Sequence, residues 1–128
     1  MTKLEEVKEL RNDPAVHYNC CQSVLMVFAQ ECGISRETAC RLGAHFGSGM
    51  RMGSVCGAVT GALMALGALG CGDEARKELV QAFKEKNSCL DCADLLRQAA
   101  AQGEERKAHC DRLVEECITL TEQICGKQ

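Results

Sequence analysis

Eleven cysteines stand in a chain of 128 residues. Thiolates are nucleophiles and soft metal ligands, so a chain this rich in thiols cross-links them, binds metal through them or does redox chemistry with them. A secreted disulfide scaffold is the first reading of such a density, and three features oppose it. The count is odd. The N-terminal run MTKLEEVKELRND holds no apolar signal segment. The apolar content, 46%, is enough for a core without staples. The expectation is a cytoplasmic protein in a reducing compartment, with free thiols or thiolates that bind something. Any single cysteine can equally be a small buried hydrophobe.

Three of the cysteines follow a helix-capping signal. Cys20 follows Asn19, Cys92 follows Asp91, and Cys56 lies just beyond Ser54. Asn, Asp and Ser cap helices, so each thiol is expected in a first turn. There the unpaired N–H groups and the macrodipole favour a thiolate. Chance also puts some of eleven cysteines at helix starts. Cys89-Leu90-Asp91-Cys92 is in addition a C-x-x-C at a helix start, which resembles a redox dithiol. Asp91 between the thiols works against a thiolate, and without a βαβ pattern the motif is not thioredoxin-like. Covalent haem would need C-x-x-C-H, but Ala93 follows Cys92.

The elements that must hold these thiols read as helices. There is one proline, Pro14, and aromatics are scarce, so Leu, Val, Ala, Met and Cys must build the core. Thr2-Lys3-Leu4-Glu5 is a capping box that opens a helix with Leu4, Val7 and Leu10 on one edge, stopped by Pro14. A second helix is expected from about Asn19 to Cys32, with Val24, Leu25, Phe28 and Ala29 at helical spacing and Gly33 past its end. Ser35 caps a third, reaching Phe46 with Ala39, Leu42 and Phe46 inward. Residues 47–53 read as a loop. A fourth helix starts near Ser54 and ends near Gly70 or Gly72. Asp73 caps a fifth, with Leu79, Val80 and Phe83 on its face. Asp91 caps a sixth, through Leu95 and Leu96 to Gly103. The last runs from about Glu104 to Cys125 on a stripe of Cys110, Leu113, Val114, Cys117, Leu120 and Ile124. The expected fold is all-α, one domain over residues 1–128, a compact bundle of five to seven helices.

The run from Met52 to Gly72 is uncharged, and Gly57 and Gly61 form a G-x-x-x-G. Its length raises a membrane-spanning reading. Nearly half of it is glycine and alanine, however, and the amphipathic helices around it need an apolar partner. A buried central helix meets that need, with Gly57, Gly61 and Ala65 as a ridge for close approach. GSGMRMG lacks the Lys-Ser or Lys-Thr and the preceding strand of a phosphate loop. Arg51 is the one charge near Cys56 and reads either as a partner for an anionic site or as a solvated loop residue. Net charge −3 with interspersed signs and few aromatics gives nothing that favours a nucleic-acid interface. His17, His45 and His109 read as structural or exposed. No Ser-His-Asp set or carboxylate pair supports a hydrolase.

"NCCQSVLMVFAQECGI", "GSGMRMGSVCGAVTGALMALG", "CADLL" and "CDRLVEEC" together resemble the C_GCAxxG_C_C family. The family's pattern is N-C-x-Q, then G-x-x-C-G-A-x-x-G, then C-x-x-L-L and C-x-x-x-V, and the likeness runs from about Asn19 to Val114. The resemblance implies a small helical redox module whose cysteines fall on Cys20, Cys56, Cys92 and Cys110. A similar domain in multihaem cytochromes is associated with an iron–sulfur cluster, which implies a cluster or other metal–thiolate site on those four. Four thiolates suit an iron–sulfur cluster or tetrahedral zinc. The cysteines beyond the pattern are Cys21, Cys32, Cys40, Cys71, Cys89, Cys117 and Cys125. Three readings stay open: electron transfer or redox sensing at a cluster; a metal-free dithiol oxidoreductase or sensor using Cys89 and Cys92 or pairs among the four; and a structural zinc module. The expected partners are an unidentified redox protein and a second copy of the chain, with no membrane and no nucleic acid.

Overall fold

A computed structural model describes residues 1–126. Among them lie seven α-helices: α1 Lys3–Arg11, α2 Cys20–Val27, α3 Arg36–Gly43, α4 Gly57–Ala68, α5 Asp73–Asn87, α6 Cys92–Ala101 and α7 Arg106–Cys125. No strand forms among the described residues, and one isolated antiparallel bridge joins Val55 to Asp91. The fold is the expected helical bundle.

Side chains start three of the helices. The Thr2 hydroxyl accepts from the Glu5 N–H while Glu5 accepts from the Thr2 N–H, the capping box read from the sequence. Asn19 and Gln22 form a second box: Asn19 Oδ1 accepts from the Gln22 N–H at 2.7 Å, and Gln22 Oε1 accepts from the Asn19 N–H at 2.9 Å. Ser35 accepts from the Thr38 N–H at the head of α3. Each such cap contributes about 0.5–2 kcal/mol.

α4 is the central helix. Gly57, Ala58, Val59, Gly61, Ala62, Ala65 and Leu66 are all buried. Its glycines permit close contact with α2: a β-carbon on Gly61 would stand 2.7 Å from the Cys21 carbonyl oxygen, and one on Gly57 would stand 3.1 Å from the Cys21 nitrogen. α2, α4 and α7 run parallel. Gly57 meets Cys20 and Cys21 at one end, while Cys32 reaches the Ala65 carbonyl and Cys71 meets Cys125 at the other. Around them Phe83, Leu79, Leu25, Leu113, Ile118 and Ile124 fill the core, each worth about 1.5–3 kcal/mol on burial. No helix among the described residues is long and apolar enough to cross a membrane.

Several expected boundaries move, each for a local reason. α2 gives way after Val27 to tighter turns, with Phe28 bonding to Leu25 and Ala29 to Met26. Gly33 still terminates the segment at φ +74°, with Gly33 bonded to Gln30 and Ile34 to Ala29. α3 stops at Gly43 rather than Phe46 because the Asn19 amide takes the Gly43 carbonyl at 3.0 Å. Leu42, expected inward, is 52% exposed. Residues Gly49–Gly53 form one wide turn with Met50 and Arg51 at positive φ. α4 starts at Gly57, so Cys56 is itself the N-cap rather than a first-turn residue after a Ser54 cap. Gly72, not Asp73, caps α5, and Asp73 pairs with Arg76 instead. α7 starts at Arg106 because Glu104 turns back to Arg112 and His109.

Two alanine substitutions on α4 test the close-approach argument. Gly61→Ala is expected to cost about 1–3 kcal/mol, since its β-carbon meets backbone. Gly67→Ala, with nothing within 4 Å, is expected to stabilise by about 0.5–1 kcal/mol. Urea denaturation of both variants reads the opposite signs.

Candidate functional site

The N-terminal ends of four helices point at one cavity of about 350 Å³. α2 contributes Asn19 and Cys20, α4 contributes Cys56 and Gly57, α6 contributes Cys92, and α7 contributes Arg106, Lys107 and Cys110. All four cysteines of the expected ligand set therefore face the same space. Arg11 and His17 from the α1–α2 region and Leu95, Leu96, Leu113 and His109 complete most of the wall. The lining holds three cations and no carboxylate.

Each thiol is positioned by something specific. The Asn19–Gln22 box sets Cys20 as the first residue of α2, and Gly47 is kept bare because a β-carbon there would stand 2.7 Å from the Asn19 side chain. Cys56 and Cys92 are tied by the backbone bridge: the Cys56 N–H donates to the Leu90 carbonyl at 2.8 Å, and the Cys92 N–H donates to the Ser54 carbonyl at 2.7 Å. Gly53 lets this bridge close, since a β-carbon there would stand 2.9 Å from Ala93 Cβ. Cys110 follows the buried His109 on α7, with Val114 one turn on in the core. His109 Nδ1 lies 3.3 Å from Glu104.

Arg11 is the anchored cation. Its Nε donates to Asp111 at 2.7 Å and its Nη1 donates to the Tyr18 carbonyl at 2.8 Å. Arg106 donates to the Ser48 hydroxyl at 3.3 Å across the mouth. These side chains, and not Arg51, bring positive charge to the cavity: Arg51 is exposed and lies outside the lining. His17 and His109 do line it, whereas His45 is exposed.

The expected thiolates at the helix starts are corrected by burial. Cys56 is pushed up to about 11 by burial, although the N–H groups of Ala58 and Val59 face its sulfur and pull the other way. Those contacts fall short of a full capping hydrogen bond. Cys92 is raised by burial and then by Cys110, against Arg106. Cys20 is raised by its contact with Cys110 and by burial. The thiol that goes down is Cys110, which sits beyond the first turn. A loose S–H···S contact from Cys20 holds it below the ordinary thiol value despite burial, and Arg11 and Arg106 add to the shift. Cys20 and Cys110 therefore titrate as a pair rather than as independent thiols.

The remaining cysteines lie elsewhere. Cys89 is outside the cavity lining and its sulfur accepts from Gln98 at 3.5 Å. Cys21 and Cys117 are fully buried in the core. Cys40 accepts from Gln22 at 3.4 Å. Cys32, Cys71 and Cys125 gather at the opposite end of the bundle. Among the described residues, no three His, Cys, Asp or Glu side chains stand close enough to grip a single metal ion.

The fold and site define an all-helical, cysteine-rich bundle with a thiol-lined, cationic cavity. The chain belongs to the C_GCAxxG_C_C family, described as "Putative redox-active protein", whose model matches residues 18–124. No curated protein and no solved structure matches it. The family's motif residues have local reasons here: Asn19 and Gln22 cap, Gly57 and Gly61 admit α2, and Ala58 is fully buried.

The paired thiols give a pH test on the metal-free, reduced protein. Alkylation of Cys110 is expected to rise with pH through a midpoint below the ~8.5 of a free cysteine and to plateau above it, because the lowered group ionises first. Cys20→Ala removes the proton donor and should move that midpoint upward. Rates for the Cys110 peptide by mass spectrometry read both.

Proposed function

We propose that Cys20, Cys56, Cys92 and Cys110 hold an iron–sulfur cluster and that the protein works in electron transfer or redox sensing. The observation that carries this reading is the convergence of four thiols with Arg11, Arg106 and Lys107 on one cavity, where Asp111 pairs with Arg11 and Lys107 from behind the lining. Thiolates and a cluster together carry net negative charge, which Arg11, Arg106, Lys107 and the facing helix N-termini offset. The family's redox character agrees with it. Bound there, a cluster supplies a one-electron couple.

The chain's own residues do the rest. Four ligands on four helices hold the site through the whole fold rather than through one loop. Leu95, Leu96 and Leu113 keep part of the wall dry. A low-dielectric wall strengthens the field of the buried Arg11. A single tetrahedral zinc, with Zn–S near ~2.3 Å, would have to draw the thiols together from their present positions. Cys20, Cys56, Cys92 and Cys110 would hold a multi-iron cluster without all four meeting on one metal ion.

A metal-free dithiol is the second reading, favoured by one observation. Cys20 and Cys110 line the same cavity, and Cys20 with Arg11 and Arg106 holds the Cys110 thiol below its ordinary value, which favours attack on a disulfide. It shifts the dithiol reading from Cys89 and Cys92 to this pair.

Anaerobic purification with iron and sulfide analysis separates the two. Cluster binding predicts near-stoichiometric iron and sulfide with visible absorbance, lost in Cys56→Ser. A colourless, iron-free protein would overturn it. Arg11→Met in the loaded protein should lower the reduction potential, since a fixed positive charge that favours the reduced, more negative state is gone. An unchanged potential would remove Arg11 from the account.

A further inference from the structure

The parallel run of α4 and α7 repeats a spacing. Cys56 and Cys110 lie at the cavity end, and Cys71 and Cys125 stand equally far along the two chain segments. At ~1.5 Å rise per residue the second pair sits roughly 20 Å from the first. There the Cys71 and Cys125 sulfurs approach to 3.8 Å.

Cys71 lies just past the C-terminal end of α4. Gly70, at φ +80°, closes α4 with its N–H on the Gly67 carbonyl at 3.1 Å, and the Cys71 N–H bonds the Leu66 carbonyl at 2.9 Å. That Schellman turn aims Cys71 at α7. Cys125 is the last residue of α7. Neither is fully buried, so both are within reach of a small reagent. A disulfide needs its sulfurs at ~2.05 Å, so the two side chains must rotate toward one another from their 3.8 Å separation. Cys32 stands nearby with its sulfur on the Ala65 carbonyl at 3.9 Å.

We infer that Cys71 and Cys125 form a reversible disulfide, a second redox site that takes low-molecular-weight disulfides such as oxidised glutathione as its oxidant. The Cys71 thiolate attacks one glutathione sulfur, the glutathione S–S bond breaks, and one glutathione thiol leaves. Cys125 then loses its proton and attacks the Cys71 sulfur, expelling the second glutathione thiol. Two protein thiols are oxidised by two electrons, one disulfide is reduced to two thiols, and the two protein protons end on the glutathione released. Burial, with Cys71 beside it, pushes Cys125 up to about 11, which leaves Cys71 to make the first attack; the second attack relies on the 3.8 Å proximity of the two sulfurs. The bond joins residues 54 apart in sequence and ties the far ends of the helices that carry Cys56 and Cys110.

The test equilibrates the full chain anaerobically with oxidised and reduced glutathione and maps its peptides. The site predicts a Cys71–Cys125 link, assigned by fragmentation, that dithiothreitol reverses and that raises the melting temperature. Cys125→Ser should stop at one glutathione on Cys71 and show no rise in melting temperature. Recovery of both residues as free thiols at the most oxidising ratio would overturn the inference. So would a Cys125 link to Cys32 instead of Cys71. Iron content of the same sample reads the cavity separately, so a failure there leaves this result intact.

Discussion

Close contact between α2 and α4 governs the rest of the molecule. It exists because Gly57 and Gly61 present no β-carbon to the Cys20–Cys21 backbone. Two helices that touch along bare backbone in parallel must bring their N-terminal ends to the same place. Once they do, Cys20 and Cys56 share a cavity, and α6 and α7 need only add one thiol each. Any larger residue at Gly61 pushes the helices apart and moves two thiols at once.

The opposing forces at the cavity explain its chemistry. Helix N-termini favour anions, but a thiol drawn from water loses more than the peptide dipoles return. Burial therefore wins at Cys56, at Cys92 and, together with its contact to Cys110, at Cys20. Cys110 escapes because a neighbouring thiol and two guanidinium groups stabilise its charge. The metal-free cavity thus holds mostly protonated thiols beside cations. A metal group binding there would have to displace those protons, so its affinity should rise with pH.

The fold was largely legible because its signals are local. Thr2 with Glu5, Asn19 and Ser35 each cap within a few residues, and Gly33 ends its segment as read. The buried α4 was legible from composition alone. What failed depends on contacts distant in sequence. The end of α3 is decided by Asn19, far upstream, and Leu42 is exposed because α3 buries Ala39 and Gly43 instead, with Gly43 against Gln22. Arg11 and His109 line the cavity, yet neither lies near a cysteine motif in a way that marks it as facing the thiols. The Asn19–Gln22 box was present in the pattern N-C-x-Q and gives that spacing its reason. The second thiol pair had one signal: the same spacing from Cys56 to Cys71 as from Cys110 to Cys125.

In our proposal the four thiols of the cavity hold a single multi-iron centre. X-ray absorption at the iron edge of the anaerobically purified protein tests it most directly. The account predicts a first shell of sulfur alone and an iron–iron scattering path. A shell containing nitrogen or oxygen ligands from His17 or His109, or iron without an iron neighbour, would contradict it.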